Sequence, residues 1–190
     1  VRLDERVDVG QVAEELAAGR LVFWFQGRME WGPRALGNRS LLADPRREDM
    51  RAPINLQVKF RQPFRPFAPS VLDERASEYF DLSGPSPFML RTARVQPSMK
   101  GVIPAVVHVD GTARVQTVDS HSHPRYRRLL NAFARRTGVP VLLNTSFNVN
   151  EPIVCTPREA VACFLRTDVE WLVMENLLAR RRSMPTGITG

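Results

Sequence analysis

The run Val58-Lys59-Phe60-Arg61-Gln62-Pro63-Phe64-Arg65-Pro66-Phe67-Ala68-Pro69 alternates three cations, three phenylalanines and three prolines. Between Met50 and Leu72 there is no Asp or Glu, yet Arg51, Lys59, Arg61 and Arg65 all fall inside. Cations with no local acid seek an external anion, and the phenylalanines imply that part of the segment is buried. Pro63, Pro66 and Pro69 lack amide donors and fix φ, which excludes a helix interior. An extended backbone would set Lys59 and Arg61 on one face and Phe60 on the other. The segment reads as one wall of a phosphate-binding pocket, with a solvated basic loop as the rival reading.

Two other stretches offer matching chemistry. In Gln26–Ser40, Gly27, Gly32 and Gly37 let the backbone lie close to whatever it covers, and Arg28, Arg34 and Arg39 stand among them. No Gly-Lys-Ser/Thr follows, so this is not a Walker loop. The polar run Asn144-Thr145-Ser146-Phe147-Asn148 supplies hydroxyls and amides that donate and accept, suiting phosphate and carbonyl oxygens together. Arg114 shares a strand face with Gln116 and either joins this set or pairs with nearby Asp110. His108, His121 and His123 are the only histidines, and the last two have the spacing of a surface turn rather than a metal site. No metal ligands and no Ser-His-Asp or Cys-His arrangement stand out. The chemistry must come from cations and hydroxyls fixed around an anionic substrate, which suffices for phosphoryl or nucleotidyl transfer.

The elements that must position these residues follow from periodicity. Asp8 and Gln11 read as the capping-box pair of a helix that ends at Gly19. Leu21–Phe25 is a short apolar strand. Asp44-Pro45 reads as the start of a second helix that Pro53 should kink or shorten. Asp73–Phe80 is a short helix, Ser83–Ser86 a turn, Phe88–Val95 a strand and Gln96–Gly101 a flexible loop. Ile103–Val109 and Ala113–Val118 are expected to pair around Asp110-Gly111. Pro124–Thr137 is an amphipathic helix burying Tyr126, Leu129, Leu130 and Phe133, with its five arginines on the solvated side. Gly138 closes it, and Val139–Leu143 returns as a buried strand, placing the polar run at a strand's carboxyl end, where open α/β sheets hold ligands. Thr156-Pro157-Arg158-Glu159 is a capping box opening a helix to Arg166, and Val169–Met174 is the last strand. The order indicates an α/β fold with some parallel pairing.

The 190 residues suffice for one domain with a core, 43% of them hydrophobic and 25% charged. A formal charge of +7 points to anionic partners. Cys155 and Cys163 match no zinc spacing and make no disulfide framework, so a reducing, cytoplasmic setting is expected. No apolar run reaches the ~20 residues of a membrane span and no signal peptide opens the chain.

Three runs together resemble one family. They are Gly27-Arg28-Met29-Glu30-Trp31-Gly32-Pro33-Arg34-Ala35-Leu36-Gly37-Asn38-Arg39-Ser40, Arg65-Pro66-Phe67-Ala68-Pro69, and Leu143–Asn148 followed by Glu151-Pro152-Ile153-Val154-Cys155-Thr156-Pro157. They are similar to the carboxyl-terminal domain of the O-carbamoyltransferases of the nodulation, cephem and tobramycin type, over about Val9–Leu178. The resemblance implies a YrdC-like α/β fold around a twisted, mainly parallel open sheet, in residues 1–182, with 183–190 a flexible tail. The signature Lys-x-Arg…Ser-x-Asn of that fold stands here as Lys59-Phe60-Arg61 and Ser146-Phe147-Asn148.

The implied reaction is adenylation, in which carbamoyl phosphate and ATP give carbamoyl adenylate and pyrophosphate. A preceding ASKHA-type domain then passes the carbamoyl group to an acceptor hydroxyl. This sequence carries no such domain, so it reads as an excised piece or a split reading frame, with self-association into a homodimer expected through the exposed interface. By resemblance, Lys59, Arg65, Arg114 and Ser146 bind carbamoyl phosphate. Arg34 and Arg39 hold the nucleotide phosphates, helped by Arg61, Thr145 and Asn148, and Mg²⁺ accompanies ATP on phosphate oxygens. The rivals are a duplex-RNA-binding module and a non-catalytic interaction domain. The intact Lys59, Arg61, Ser146 and Asn148 set argues against degeneration.

Overall fold

Short strands with every residue buried make the centre of the molecule. The computed structural model describes residues 2–4 and 7–181, so the tail expected at 183–190 lies outside the described residues. In chain order come β1 (Arg2–Asp4), α1 (Val9–Ala17), β2 (Val22–Phe25) and β3 (Arg39–Ala43). A helical stretch follows, 3₁₀ over Glu48–Met50, α2 (Arg51–Pro53) and a π turn over Ile54–Val58. Next are β4 (Ala68–Leu72), α3 (Ala76–Tyr79), β5 (Phe80–Asp81), β6 (Arg91–Val95) and β7 (Thr112–Val118). The chain closes with α4 (Pro124–Thr137), β8 (Val141–Ser146), α5 (Pro157–Leu165), β9 (Trp171–Met174) and β10 (Leu177–Arg180).

All ten strands join one open mixed sheet in the order β1-β10-β9-β2-β3-β8-β4-β7-β6-β5. Only β2 with β9 and β4 with β7 run parallel, so the sheet is mixed as expected but not mainly parallel. The pleat sorts side chains onto two faces. Val22, Trp24, Leu42, Leu72, Val118 and Leu142 pack under α1 and α4. Phe23, Leu41, Val71, Leu143 and Phe147 pack on the other face, where Phe23 and Phe147 stack with centroids 4.0 Å apart. In α4 the expected Tyr126, Leu129, Leu130 and Phe133 are the buried face, and Gly138 adopts φ +76° at its end. The Thr156 capping box at α5 forms, whereas Asp8 makes no side-chain cap to α1.

Several local expectations need correction. Asp44 caps no helix: its fully buried carboxylate takes the amide and guanidinium of Arg46, and regular helix begins only at Glu48. Pro53 does not kink this helix so much as change its gauge. Proline brings no amide donor, and the residues after it widen into the π turn, closed by Lys59 N donating to Ile54 O at 2.9 Å. The Lys59 segment is therefore not extended. Lys59 ends the turn with helical φ, and Phe60 sits at φ +44°.

Ile103–Val109 is no strand either. Pro104 opens a 3₁₀ turn, Ile103, Ala105 and Val106 plug the core, and Ala105 N bonds Pro45 O. The antiparallel partner of β7 is β6. Gln96–Gly101 holds a 3₁₀ turn at Pro97–Met99. Strand β10 follows β9, which is thus not the last strand. Finally, β8 is antiparallel to both neighbours and extends through Ser146, so Asn144, Thr145 and Ser146 lie on the strand itself.

Candidate anion-binding site

Beyond the N-terminal end of α4, its face of the sheet carries polar residues instead of apolar ones. The parallel register sets Ser70 of β4 opposite Gln116 of β7, and the antiparallel register sets Asn144 of β8 opposite Ala68. All three polar side chains are buried and bond one another. Ser70 Oγ donates to Gln116 Oε1 at 2.5 Å, and Asn144 Nδ2 donates to Ser70 Oγ and Gln116 Oε1 at 3.0 Å each. Gln116 Nε2 reaches up to the glycine-bearing loop, donating to Leu36 O at 2.7 Å, and Asn144 Nδ2 shares a proton with Ala35 O at 3.2 Å. A sheet floor thus fixes the loop that carries Arg34.

The same loop is held from within by Glu30. One carboxylate oxygen accepts from the amides of Leu36 at 2.9 Å, Asn38 at 2.6 Å and Arg39 at 3.2 Å. Gly37 turns at φ +109° against the Tyr126 ring, where a side chain would collide. Opposite, buried Asn55 in the π turn donates to Pro63 O and Arg65 O and accepts from Arg61 Nε at 2.7 Å. That single amide shapes the Arg61–Arg65 loop, and the Arg61 guanidinium also lies 5.1 Å from the Phe67 ring centroid.

Between these loops lie two adjoining recesses of about 100 and 300 Å³. Arg34, Arg61, Pro66, Phe67 and Arg114 line both; Thr145 and Ser146 line the smaller one, Arg65 and His108 the larger. Among the described residues no carboxylate pairs with Arg34, Arg61, Arg65 or Arg114, although seven other arginines have one. Asp110 does not take Arg114, since it accepts instead from Thr112 N and Thr112 Oγ1. The Arg114 Nε is buried without a partner. Burial and then the charge of Arg34 pull the Arg114 pKa down, and burial and then Arg65 do the same to Arg61. Burial, with Arg114 and Arg51, lowers that of His108 against the pull of Asp110. Four cations crowd one recess and repel each other, an arrangement that an anion relieves.

Lys59 is not on the cavity wall. It is 3% exposed, and its ammonium shares three protons among Ser146 O, Ser146 Oγ at 3.2 Å, Asn148 O at 2.9 Å and Asn148 Oδ1 at 2.7 Å. Ser146 Oγ in turn donates to Asn148 Oδ1 at 2.7 Å. Burial, with the charge of Arg61, brings Lys59 down to about 7. Arg39 is also off the wall. Buried over Phe25 at 3.5 Å, it donates to the carbonyls of Gln26, Gly27, Asn38 and Cys155. Of the nine expected site residues, six line the cavity, and Lys59, Asn148 and Arg39 brace its surroundings. Sequence reasoning missed Glu30, Asn55, Ser70, Gln116 and Asn144 as the framework. The available signal was a polar residue inside an otherwise apolar strand, as at Ser70.

The sequence comparisons with known proteins point to one family. The family model for the carbamoyltransferase C-terminus matches residues 13–181. The chain is 50% identical over 174 residues to nodulation protein NolO of Bradyrhizobium diazoefficiens, covering 90% of this chain and 32% of that protein. Nodulation protein U of Sinorhizobium fredii is 41% identical over 140 residues, covering 74% of this chain and 25% of it. The chain thus spans about a third or less of the curated relatives it matches. A crystal structure of full-length HypF in a phosphate- and nucleotide-bound form superposes with a TM-score of 0.61 at 19% identity, over 90% of this chain and 25% of HypF. That likeness establishes a shared fold, and the YrdC-like α/β class stands.

Proposed function

The chain belongs to the carbamoyltransferase C-terminal family, and from that premise we propose that its arginine cavity makes carbamoyl adenylate from carbamoyl phosphate and ATP. The observation that carries this reading is the convergence of Arg34, Arg61, Arg65 and Arg114, none with a carboxylate partner among the described residues, on one recess, beside a second that shares three of them and presents Ser146. Guanidinium forks bind phosphate oxygens bidentately, and four of them offset part of the charge of two phosphorylated substrates.

In the proposed sequence water splits carbamoyl phosphate into carbamate and inorganic phosphate. A carbamate oxygen then forms a bond to the α-phosphorus of ATP, and the bond to pyrophosphate breaks. Arg65 and Arg114 bind the carbamoyl phosphate, Ser146 hydrogen-bonds its carbamoyl end, and Arg34 and Arg61 hold the triphosphate beside it. Lys59 acts as a brace, fixing Ser146 and Asn148 through the bonds described above. No protein general base is required, because a carbamate oxygen is itself anionic. The cavity's lining offers no carboxylate, and among the described residues no group of three His, Cys, Asp or Glu side chains could hold a metal. These residues therefore do not form a magnesium cage, and any Mg²⁺ arriving with ATP would keep to phosphate oxygens and water.

Transfer to an acceptor hydroxyl belongs in this reading to another domain of the kind the longer relatives have room for. No helix among the described residues is long and apolar enough to cross a membrane. Calorimetric titration of the chain with carbamoyl phosphate and with ATP tests the proposal. Binding of both, lost stepwise with added salt and with Arg114→Ala, is expected; absence of binding for either ligand contradicts it.

A further inference from the structure

Of the residues lining the two recesses, His108 alone has a side chain that gains or loses a proton near neutral pH. The others are arginines, hydroxyls, an amide and apolar groups. A tight turn fixes it. His108 N donates to Thr112 O at 2.8 Å and Gly111 N donates to His108 O at 2.9 Å, with Gly111 at φ +79°. Thr112 and Arg114 stand two apart on β7 and share a face, and Arg114 lines the larger recess together with His108.

The two ring nitrogens of His108 are in different states. Nδ1 lies 3.2 Å from Thr112 Oγ1, and that hydroxyl donates its one proton to Asp110 Oδ1 at 2.7 Å. Thr112 Oγ1 can then meet Nδ1 only as an acceptor, so Nδ1 carries the ring proton. Asp110 is held in turn by the Thr112 amide at 3.0 Å. In the neutral ring Nε2 is left with its lone pair. Among the described residues Nε2 has no hydrogen-bond partner, and it is not among the atoms closed to solvent. Burial, helped by Arg114 and Arg51 and opposed by Asp110, keeps the His108 pKa below the usual ~6.5. The ring is therefore neutral at pH 7, with a proton-accepting nitrogen beside the anion-binding arginines.

We propose that His108 is the catalytic base that removes a proton from the water that splits carbamoyl phosphate. Attack by a carbamate oxygen on ATP needs no base, but attack by water leaves a proton to be removed. In this step the water oxygen bonds to phosphorus and the bond from phosphorus to the carbamoyl oxygen breaks. Carbamate departs with the electron pair, one water proton passes to Nε2, and phosphate leaves as the hydrogen phosphate dianion. The imidazolium, disfavoured among Arg34, Arg61, Arg65 and Arg114, then returns its proton to solvent. Thr112 and Asp110 are positioning residues that hold the ring in the tautomer the step requires. The step rests on the reaction proposed above; the fixed tautomer and the open nitrogen do not.

The test compares the chain with His108→Asn, which keeps a donor for Thr112 but has no titratable nitrogen. With ATP present, phosphate release from carbamoyl phosphate is measured over the rate without protein. Entry of labelled pyrophosphate into ATP is measured with carbamoyl phosphate and with ammonium carbamate, which supplies carbamate without hydrolysis. In His108→Asn, phosphate release and carbamoyl-phosphate-supported exchange should fall about 100-fold, and carbamate-supported exchange by no more than about threefold. In the parent, release should fall as pH drops through the His108 value, because a protonated ring accepts nothing, and His108→Asn should lose that dependence. Thr112→Val should slow release about tenfold and Thr112→Ser should restore it. Parental phosphate release in His108→Asn overturns the inference and leaves adenylation standing. Equal loss of both exchanges makes His108 structural and also overturns it. If the parent exchanges with carbamate but releases no phosphate, the inference falls alone; if it does neither, both readings fall. If it releases phosphate but exchanges with neither substrate, adenylation fails and the His108→Asn loss still decides His108. Should His108→Asn fail to fold, the Thr112 pair and the parent's pH profile decide: no difference between Val and Ser, or release that is flat down to about pH 5, overturns the inference.

Discussion

The Lys59 ammonium nitrogen lies 3.2 Å from the Ser146 hydroxyl, across 87 residues of chain. The contact links the end of the π turn to the end of β8, and its lysine end is closed to solvent. A buried cation with several acceptors holds its surroundings more than it binds ligand. Removing it takes a charge-assisted donor from the half-buried oxygens of Ser146 and Asn148, each such bond worth ~1.5–3 kcal/mol. Lys59→Ala should therefore destabilise the chain by about 2–4 kcal/mol in urea unfolding. A loss within the ±0.5 kcal/mol usual for surface changes would show that the contact braces nothing.

Stability should also depend on pH through this residue. The folded value of about 7 lies below the ~10.4 of an unperturbed lysine. Between those values the unfolded chain binds the extra proton, so stability rises with pH across that window. Below about pH 7 both states are protonated and the cost of burying the charge is fully felt. Unfolding free energies at about pH 6, 8 and 9.5 should climb in the parent and climb less in Lys59→Met. Parallel profiles would contradict the assignment.

Pairing of β4, β7 and β8 could not be read from the chain, because register is set by partners distant in sequence. The chemistry was more legible than the scaffold. An acid-free stretch from Met50 to Leu72 announced a site for anions, and Arg61 and Arg65 do face one cavity. What failed was conformation: three prolines suggested extension, but Asn55 bends the segment into a loop through bonds to Pro63 O and Arg65 O. Burial misled for Lys59 and Arg39, whose charges are taken up by carbonyls that no sequence pattern reveals.

Arg114 should matter to ligand and not to folding. A charge-assisted hydrogen bond contributes about 1.5–3 kcal/mol, so Arg114→Ala should weaken carbamoyl phosphate roughly 10- to 100-fold. Because Arg34 and Arg114 repel each other, the variant without ligand should melt at the parent's temperature or higher. Loss of stability with unchanged affinity would make Arg114 structural.

Glu30 should act at one remove. Glu30→Ala strips the acceptor from the amides of Leu36, Asn38 and Arg39, freeing the loop that carries Arg34. Faster hydrogen exchange at those three amides and about tenfold weaker ATP binding are expected. Normal protection there would mean that the Ser70–Gln116–Asn144 floor holds the loop alone.

The central claim is that this cavity joins carbamate to AMP, and isotope exchange tests it most directly. Labelled pyrophosphate should enter ATP when the chain is supplied with carbamoyl phosphate, and should not when carbamoyl phosphate is withheld. Exchange at the same rate with and without carbamoyl phosphate, or no exchange while both ligands bind, would contradict the account.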